Sequence, residues 1–150
     1  MAPTVTPTVK PTGTPSTTDT VPSVEVKTTN NGNTISQTYT VTSTNGTIDL
    51  SKISIEYTAD GMNNAEQTVY IDNAALILNV APYYSSINSA VTGSIVNGKL
   101  LLFVNSDTTL SAGEGNLSIS IRLSKTDWSN YGTISNEVVR VYYDGVLVQQ

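Results

Sequence analysis

Residues 94–102 read "SIVNGKLLL", an Asn97-Gly98 pair set between two apolar, partly β-branched runs. A two-residue hairpin turn needs positive φ at both central positions, and Asn followed by Gly meets that need at the lowest steric cost. The stretch is therefore a β-hairpin with Asn97 and Gly98 at its tip. "VYYDGVLV", residues 141–148, repeats the pattern with Asp144 and Gly145 in the turn. Neither turn requires a function.

Outward from these hairpins, nearly every run after Val24 alternates with period two. "VEVKTT", "SQTYTVTS", "KISIEYTA", "QTVYIDNAALIL", "AVTGSIV", "KLLLFVN", "NLSISIRLS" and "VVRVYYDGVLVQ" are rich in β-branched residues and are separated by turn formers. No stretch keeps a helical period, and no repeat recurs at fixed spacing. The expected fold is all-β, an antiparallel two-sheet sandwich of jelly-roll topology with eight or nine strands over residues 23–150. Residues 1–22 differ in kind: "APTVTPTVKPTGTPSTTDTVP" alternates Pro with Thr and Val, favours extended conformers and withholds backbone donors. This segment is expected to be a linker to other modules, with a short part able to lie on the domain surface.

Composition excludes much chemistry. The chain has 150 residues, no cysteine and no histidine, with seven Lys and Arg against twelve Asp and Glu for a net charge of −5. Disulfides, thiolate nucleophiles and Ser-His-Asp or Cys-His centres are thereby absent. The sparse, scattered cations argue against nucleic acid or an anionic membrane as partner. No apolar run approaches the ~20 residues that span a bilayer. Phosphate-cradling glycine motifs are missing, and the twelve carboxylates offer no singled-out pair for glycoside hydrolysis. A binding module is expected rather than an enzyme.

The single tryptophan lies in "IRLSKTDWSNYG", residues 121–132. A lone Trp commonly anchors a core, yet its neighbours here are polar. If the strand continued, Arg122 and Trp128 would share one face, with small Ser124 and Thr126 leaving it flat between them. A flat face with ring and guanidinium groups suits pyranose rings, whose axial C–H groups stack on an aromatic while equatorial hydroxyls bond at the edge.

From about Val24 onward the chain resembles the family 3 carbohydrate-binding modules, cellulose-binding β-sandwiches of bacterial scaffoldins and cellulases. The resemblance rests on five ordered segments: "IDLSKISIEYTADG", "VYIDNAALI", "YSSINSAVTG", "RLSKTDWSNY" and "YYDGVLV". It implies a linear strip in which Asp72 pairs with Arg122, Tyr84 supplies a ring and Trp128 is the terminal platform. Asn73 stands where the family has His, and an amide bonds sugar hydroxyls rather than stacking. Tyr83 adjoins Tyr84, and either could face the strip. Asn33 matches a position that anchors a neighbouring glucan chain.

The same resemblance implies a structural Ca²⁺, with oxygen ligands from Thr58, Asp60, Thr133, Asn136 and Glu137. Here Glu137 replaces the family's Asp, and an inserted residue near Gly132 shifts the register. The implied partners are cellulose or another β-glucan and the linked modules of a parent protein, outside the cell or at its surface. A biomass-sensing ectodomain of a membrane-anchored anti-sigma factor, or an accessory domain without sugar affinity, are the alternatives that the resemblance leaves.

Overall fold

The computed structural model describes residues 21–62 and 66–150. Among these residues, twelve strands form two five-stranded antiparallel sheets and a two-stranded ribbon. In chain order they are β1 (Pro22–Asn30), β2 (Thr34–Ser43), β3 (Thr47–Asp49), β4 (Ile53–Asp60), β5 (Gln67–Leu78) and β6 (Tyr84–Ser86). They continue as β7 (Val91–Val96), β8 (Lys99–Val104), β9 (Thr109–Ser111), β10 (Gly115–Lys125), β11 (Ser135–Tyr143) and β12 (Val146–Gln149). The first sheet runs β1-β2-β10-β5-β6 and the second β12-β11-β4-β8-β7, while β3 pairs with β9.

The eight quoted runs hold nine of these strands; β3, β6 and β9 are three residues each, too short for alternation to reveal. Both expected hairpins form. Asn97 and Gly98 have φ of 53° and 77°, with Val96 facing Lys99; Asp144 and Gly145 have φ of 53° and 82°, with Tyr143 facing Val146.

Alternation decides which residues make the core. β2 turns Ile35, Gln37, Tyr39 and Val41 inward, and β10 adds Leu117, Ile119, Ile121 and Leu123. The second sheet answers with Ile53, Ile55 and Tyr57, Leu100, Leu102 and Val104, and Val141. Three tyrosines in the core need partners for their hydroxyls, and Tyr131 donates to Gln67 Oε1 at 2.7 Å. Tyr39 donates to Gln37 at 2.7 Å and Tyr57 to Glu137 at 2.7 Å. Burial, with Tyr57 and Glu137 nearby, raises the pKa of Tyr39 and keeps its phenol protonated.

The outward positions of the first sheet form a polar field: Thr34, Ser36, Thr38 and Thr40 on β2, and Ser118 and Ser120 on β10. The linker expected over 1–22 falls mostly outside the described residues. Its last two residues belong to the sandwich: Pro22 begins β1, and the Val21 carbonyl accepts from the Thr44 amide at 3.1 Å and hydroxyl at 2.9 Å. No helix among the described residues is long and apolar enough to cross a membrane.

Candidate functional site

Four of the residues expected in the strip, Asp72, Asn73, Tyr84 and Arg122, lie on strands of the first sheet. Arg122 on β10 lies directly across from Tyr70 on β5, and Ser120 lies across from Asn73. Between these two pairs the register slips: Ile121 faces Ile71, so Asp72 is the extra residue of a β-bulge. A bulge bends its strand and redirects the extra side chain. Here it presents Asp72 to Arg122. Arg122 Nε donates to Asp72 Oδ1 at 3.0 Å and Oδ2 at 2.8 Å, and Nη2 donates to Oδ1 at 2.9 Å. These hydrogen bonds and the carboxylate's charge raise the Arg122 pKa further. Exposed ion pairs contribute little to stability, so what this pair supplies is a fixed guanidinium plane.

Nothing in the sequence singles out Tyr70. The Arg122 guanidinium carbon sits over the Tyr70 ring, 5.2 Å from its centre, within range of a cation–π contact. The arginine is therefore held at its edge by Asp72 and from one side by Tyr70. The sequence does contain a signal for this arrangement: the residues of β5 packed into the core cluster are odd at Val69 and Ile71 but even at Ala74, Leu76 and Leu78, with small Ala75 also buried but outside that cluster. That change of parity marks the bulge, and with it the outward-facing set.

Trp128 is exposed, as the strip requires, although continued strand parity is not the reason. β10 ends at Lys125, and a turn follows in which the Trp128 amide donates to the Lys125 carbonyl at 2.9 Å. Asp127 Oδ1 accepts from the Ser129 amide at 3.0 Å and hydroxyl at 2.7 Å, and these bonds lower the Asp127 pKa. Trp128 itself has a φ of 60° and is 52% exposed. Ser124, expected to lie flat between the two platform residues, is buried. The turn, not the strand, delivers the indole to solvent.

Tyr84 resolves the choice left between two tyrosines. It opens β6 directly opposite Ile77, an outward residue between buried Leu76 and the half-buried, core-packed Leu78, so Tyr84 shares the strip's face. Tyr83 lies one residue earlier in the loop, with a φ of 69° and its carbonyl accepting from the Leu78 amide at 2.8 Å. Asn73 is half-buried beside the bulge. Asn33 is exposed in the β1–β2 turn, at the end of the sheet where Thr34 faces Ser124 and hence near the Trp128 turn. That turn is tied down: the Tyr131 amide donates to the Gly32 carbonyl at 2.8 Å, and Asn30 Nδ2 donates to the Gly132 carbonyl at 2.9 Å.

The five expected calcium ligands divide. Asp60 faces Ser135, and Asn136 Nδ2 donates to Asp60 Oδ2 at 2.6 Å. A Cβ added to Gly61, whose φ is 96°, would stand 2.3 Å from the Thr133 carbonyl oxygen, so only glycine admits that oxygen here. Thr58 shares the side of β4 that carries Asp60. These carboxylate, amide, hydroxyl and carbonyl groups suit a hard cation. Glu137, itself exposed, is engaged elsewhere: its Oε2 accepts from Tyr57 on β4 at 2.7 Å and from Thr28 on β1 at 2.6 Å. No group of three or more His, Cys, Asp or Glu among the described residues is placed to hold a metal, so a cation at this end depends on the neutral oxygens.

Comparison with known proteins places this geometry. No protein-family profile matches the chain. Cellulosomal-scaffolding protein B of Acetivibrio thermocellus is 34% identical over 140 residues, covering 77% of the chain and 18% of that protein. Cellulosomal-scaffolding protein A is equally similar, and the match covers 7% of it. The chain thus spans a small part of these relatives' length. Among solved structures, the family 3a carbohydrate-binding module from the cipA scaffolding of Clostridium thermocellum is 30% identical with a TM-score of 0.63, over 85% of this chain and all of that one. A CBM3a-L domain with flanking linkers from the same scaffoldin gives 29% identity and a TM-score of 0.71, over 91% and 92% of the two chains. Biomass-sensing modules from Rsgi-like proteins of C. thermocellum share the fold, at 22% identity and a TM-score of 0.59. The chain belongs to the family 3 carbohydrate-binding modules.

Proposed function

We propose that this module binds cellulose or a related β-glucan without acting on it, and so directs a larger extracellular protein to its substrate. One observation carries the reading: the Asp72–Arg122 pair and Tyr84 open to solvent on the outer face of one sheet, and exposed Trp128 follows directly on the end of β10, the strand that carries Arg122. From the Arg122 row to the Asn116–Ile77–Tyr84 row is six residues of β10, or about 20 Å of strand. A long, flat glucan chain can meet both ends of such a row, with Trp128 beyond Arg122. Between the rings, Asn73 and Ser120 offer hydrogen bonds where the family's imidazole would stack, a middle suited to hydroxyl contacts. The two cellulosomal scaffolding relatives fit a module that works as part of a multimodular chain. The test is depletion of the protein from solution by microcrystalline and amorphous cellulose, with soluble β-glucan as competitor. Saturable adsorption supports the reading, and absence of adsorption to every glucan contradicts it.

We propose also that Ca²⁺ is held by Asp60, Thr58, Asn136 and the Thr133 carbonyl, where it would join the end of β4 to the segment leading into β11. Glu137 takes no direct part in this arrangement; it links the two sheets through Tyr57 and Thr28. At about 100 times its dissociation constant a structural ion adds about 2.7 kcal/mol. Chelation is therefore expected to lower the melting temperature by about 5–10 °C, with recovery on adding Ca²⁺. An identical melting curve in chelator and in millimolar Ca²⁺ would remove the ion from the account.

A further inference from the structure

We infer that Ile77 is a ligand-contacting residue, forming with Tyr84 a second apolar platform at the end of the strip away from Trp128; this rests on the strip being the glucan-binding face. Outward positions of β2 and β10 on this face are Ser and Thr, apart from Arg122 and Asn116. Ile77 breaks that pattern. It is 47% exposed and adds little to the core, because its neighbours Leu76 and Leu78 face inward. Its register partner across β5 and β6 is Tyr84, itself 55% exposed, so the aliphatic branch and the phenol stand side by side on one face. The exposed large apolar groups of this face therefore gather at its two ends, Trp128 at one and Ile77 with Tyr84 at the other.

The backbone beneath this second platform is firmly held. The Leu78 amide donates to the Tyr83 carbonyl at 2.8 Å and the Tyr84 amide to the Pro82 carbonyl at 2.8 Å. Asn79 clips the loop to the β9–β10 turn, its amide donating to the Glu114 carbonyl at 2.9 Å and its Nδ2 to the Gly113 carbonyl at 2.7 Å. A pre-positioned aliphatic group beside an aromatic fits the axial C–H face of a pyranose ring, which has no hydroxyl to satisfy there. The occupant is a sugar ring of the same chain that lies on Trp128.

A β-branched residue also suits a strand for structural reasons alone, so the substitution must keep that property. Ile77→Thr keeps the branch and removes most of the exposed apolar area. Its adsorption to cellulose is expected to be about 3- to 10-fold weaker than the parent's, with a melting temperature within about 2 °C. Phe103→Thr removes an exposed apolar group from the second sheet and is expected to bind like the parent. If the parent binds, Trp128→Ala weakens it and Ile77→Thr does not, the Ile77 assignment is wrong while the strip stands. Equal losses in Ile77→Thr and Phe103→Thr would show general apolar adsorption and overturn the assignment as well. A parent that binds no glucan removes the strip itself.

Discussion

Trp128→Ala is expected to weaken adsorption to cellulose by roughly 5- to 150-fold, the equivalent of ~1–3 kcal/mol for one platform aromatic. The size follows from position. The indole is half exposed and stands at one end of the strip, where it offers a ring face without first having to leave the core. Its turn is fixed by Asp127 and Ser129 and by the bond to the Lys125 carbonyl, so little ordering cost accompanies binding. The same exposure predicts a small effect on folding, with the melting temperature changing by about 2 °C or less. Adsorption equal to the parent's would take Trp128 out of the site. A large fall in melting temperature would instead assign it a structural role.

Gly115→Ala is expected to have the largest effect on stability, about 3 kcal/mol or more, lowering the melting temperature by roughly 6–12 °C. Gly115 has a φ of 140°, and a Cβ there would stand 2.1 Å from the Ile77 carbonyl oxygen and 2.9 Å from the Leu78 Cα. Both contacts are backbone, so relief requires the ends of β10 and β5 to separate. Gly115 faces Leu78, and the next residue, Asn116, faces Ile77, so the strain falls under the Tyr84 end of the strip. Affinity should therefore fall together with stability, whereas Trp128→Ala should change affinity alone. A Gly115→Ala protein melting within about 2 °C of the parent would show that β10 can leave β5 at low cost.

The hairpins and long strands were legible because their signals are local. Asn97-Gly98 and Asp144-Gly145 call for one turn geometry, and "SQTYTVTS" or "NLSISIRLS" assigns its faces by alternation alone. The strands β3, β6 and β9 exist through tertiary pairing, and three residues cannot display a period. Resemblance supplied the Asp72–Arg122 pairing, which the structure has, and picked out Tyr84, which faces outward. Geometry hidden in register was not. Tyr70 and Ile77 join the strip through cross-strand neighbours 52 and seven positions away in sequence, namely Arg122 and Tyr84. Glu137 illustrates the opposite difficulty: a carboxylate expected at a cation instead satisfies a buried tyrosine, and only the shifted register of β11 reveals it.

All indole emission of this protein comes from Trp128, the only tryptophan in the chain, so its contact with cellulose can be measured directly. Acrylamide quenching should be compared for the protein free in solution and adsorbed on cellulose nanocrystals. Adsorption is expected to reduce quenching strongly, as a ring laid against glucan is closed to the quencher. Undiminished quenching in fully adsorbed protein would mean that the module meets cellulose by another face.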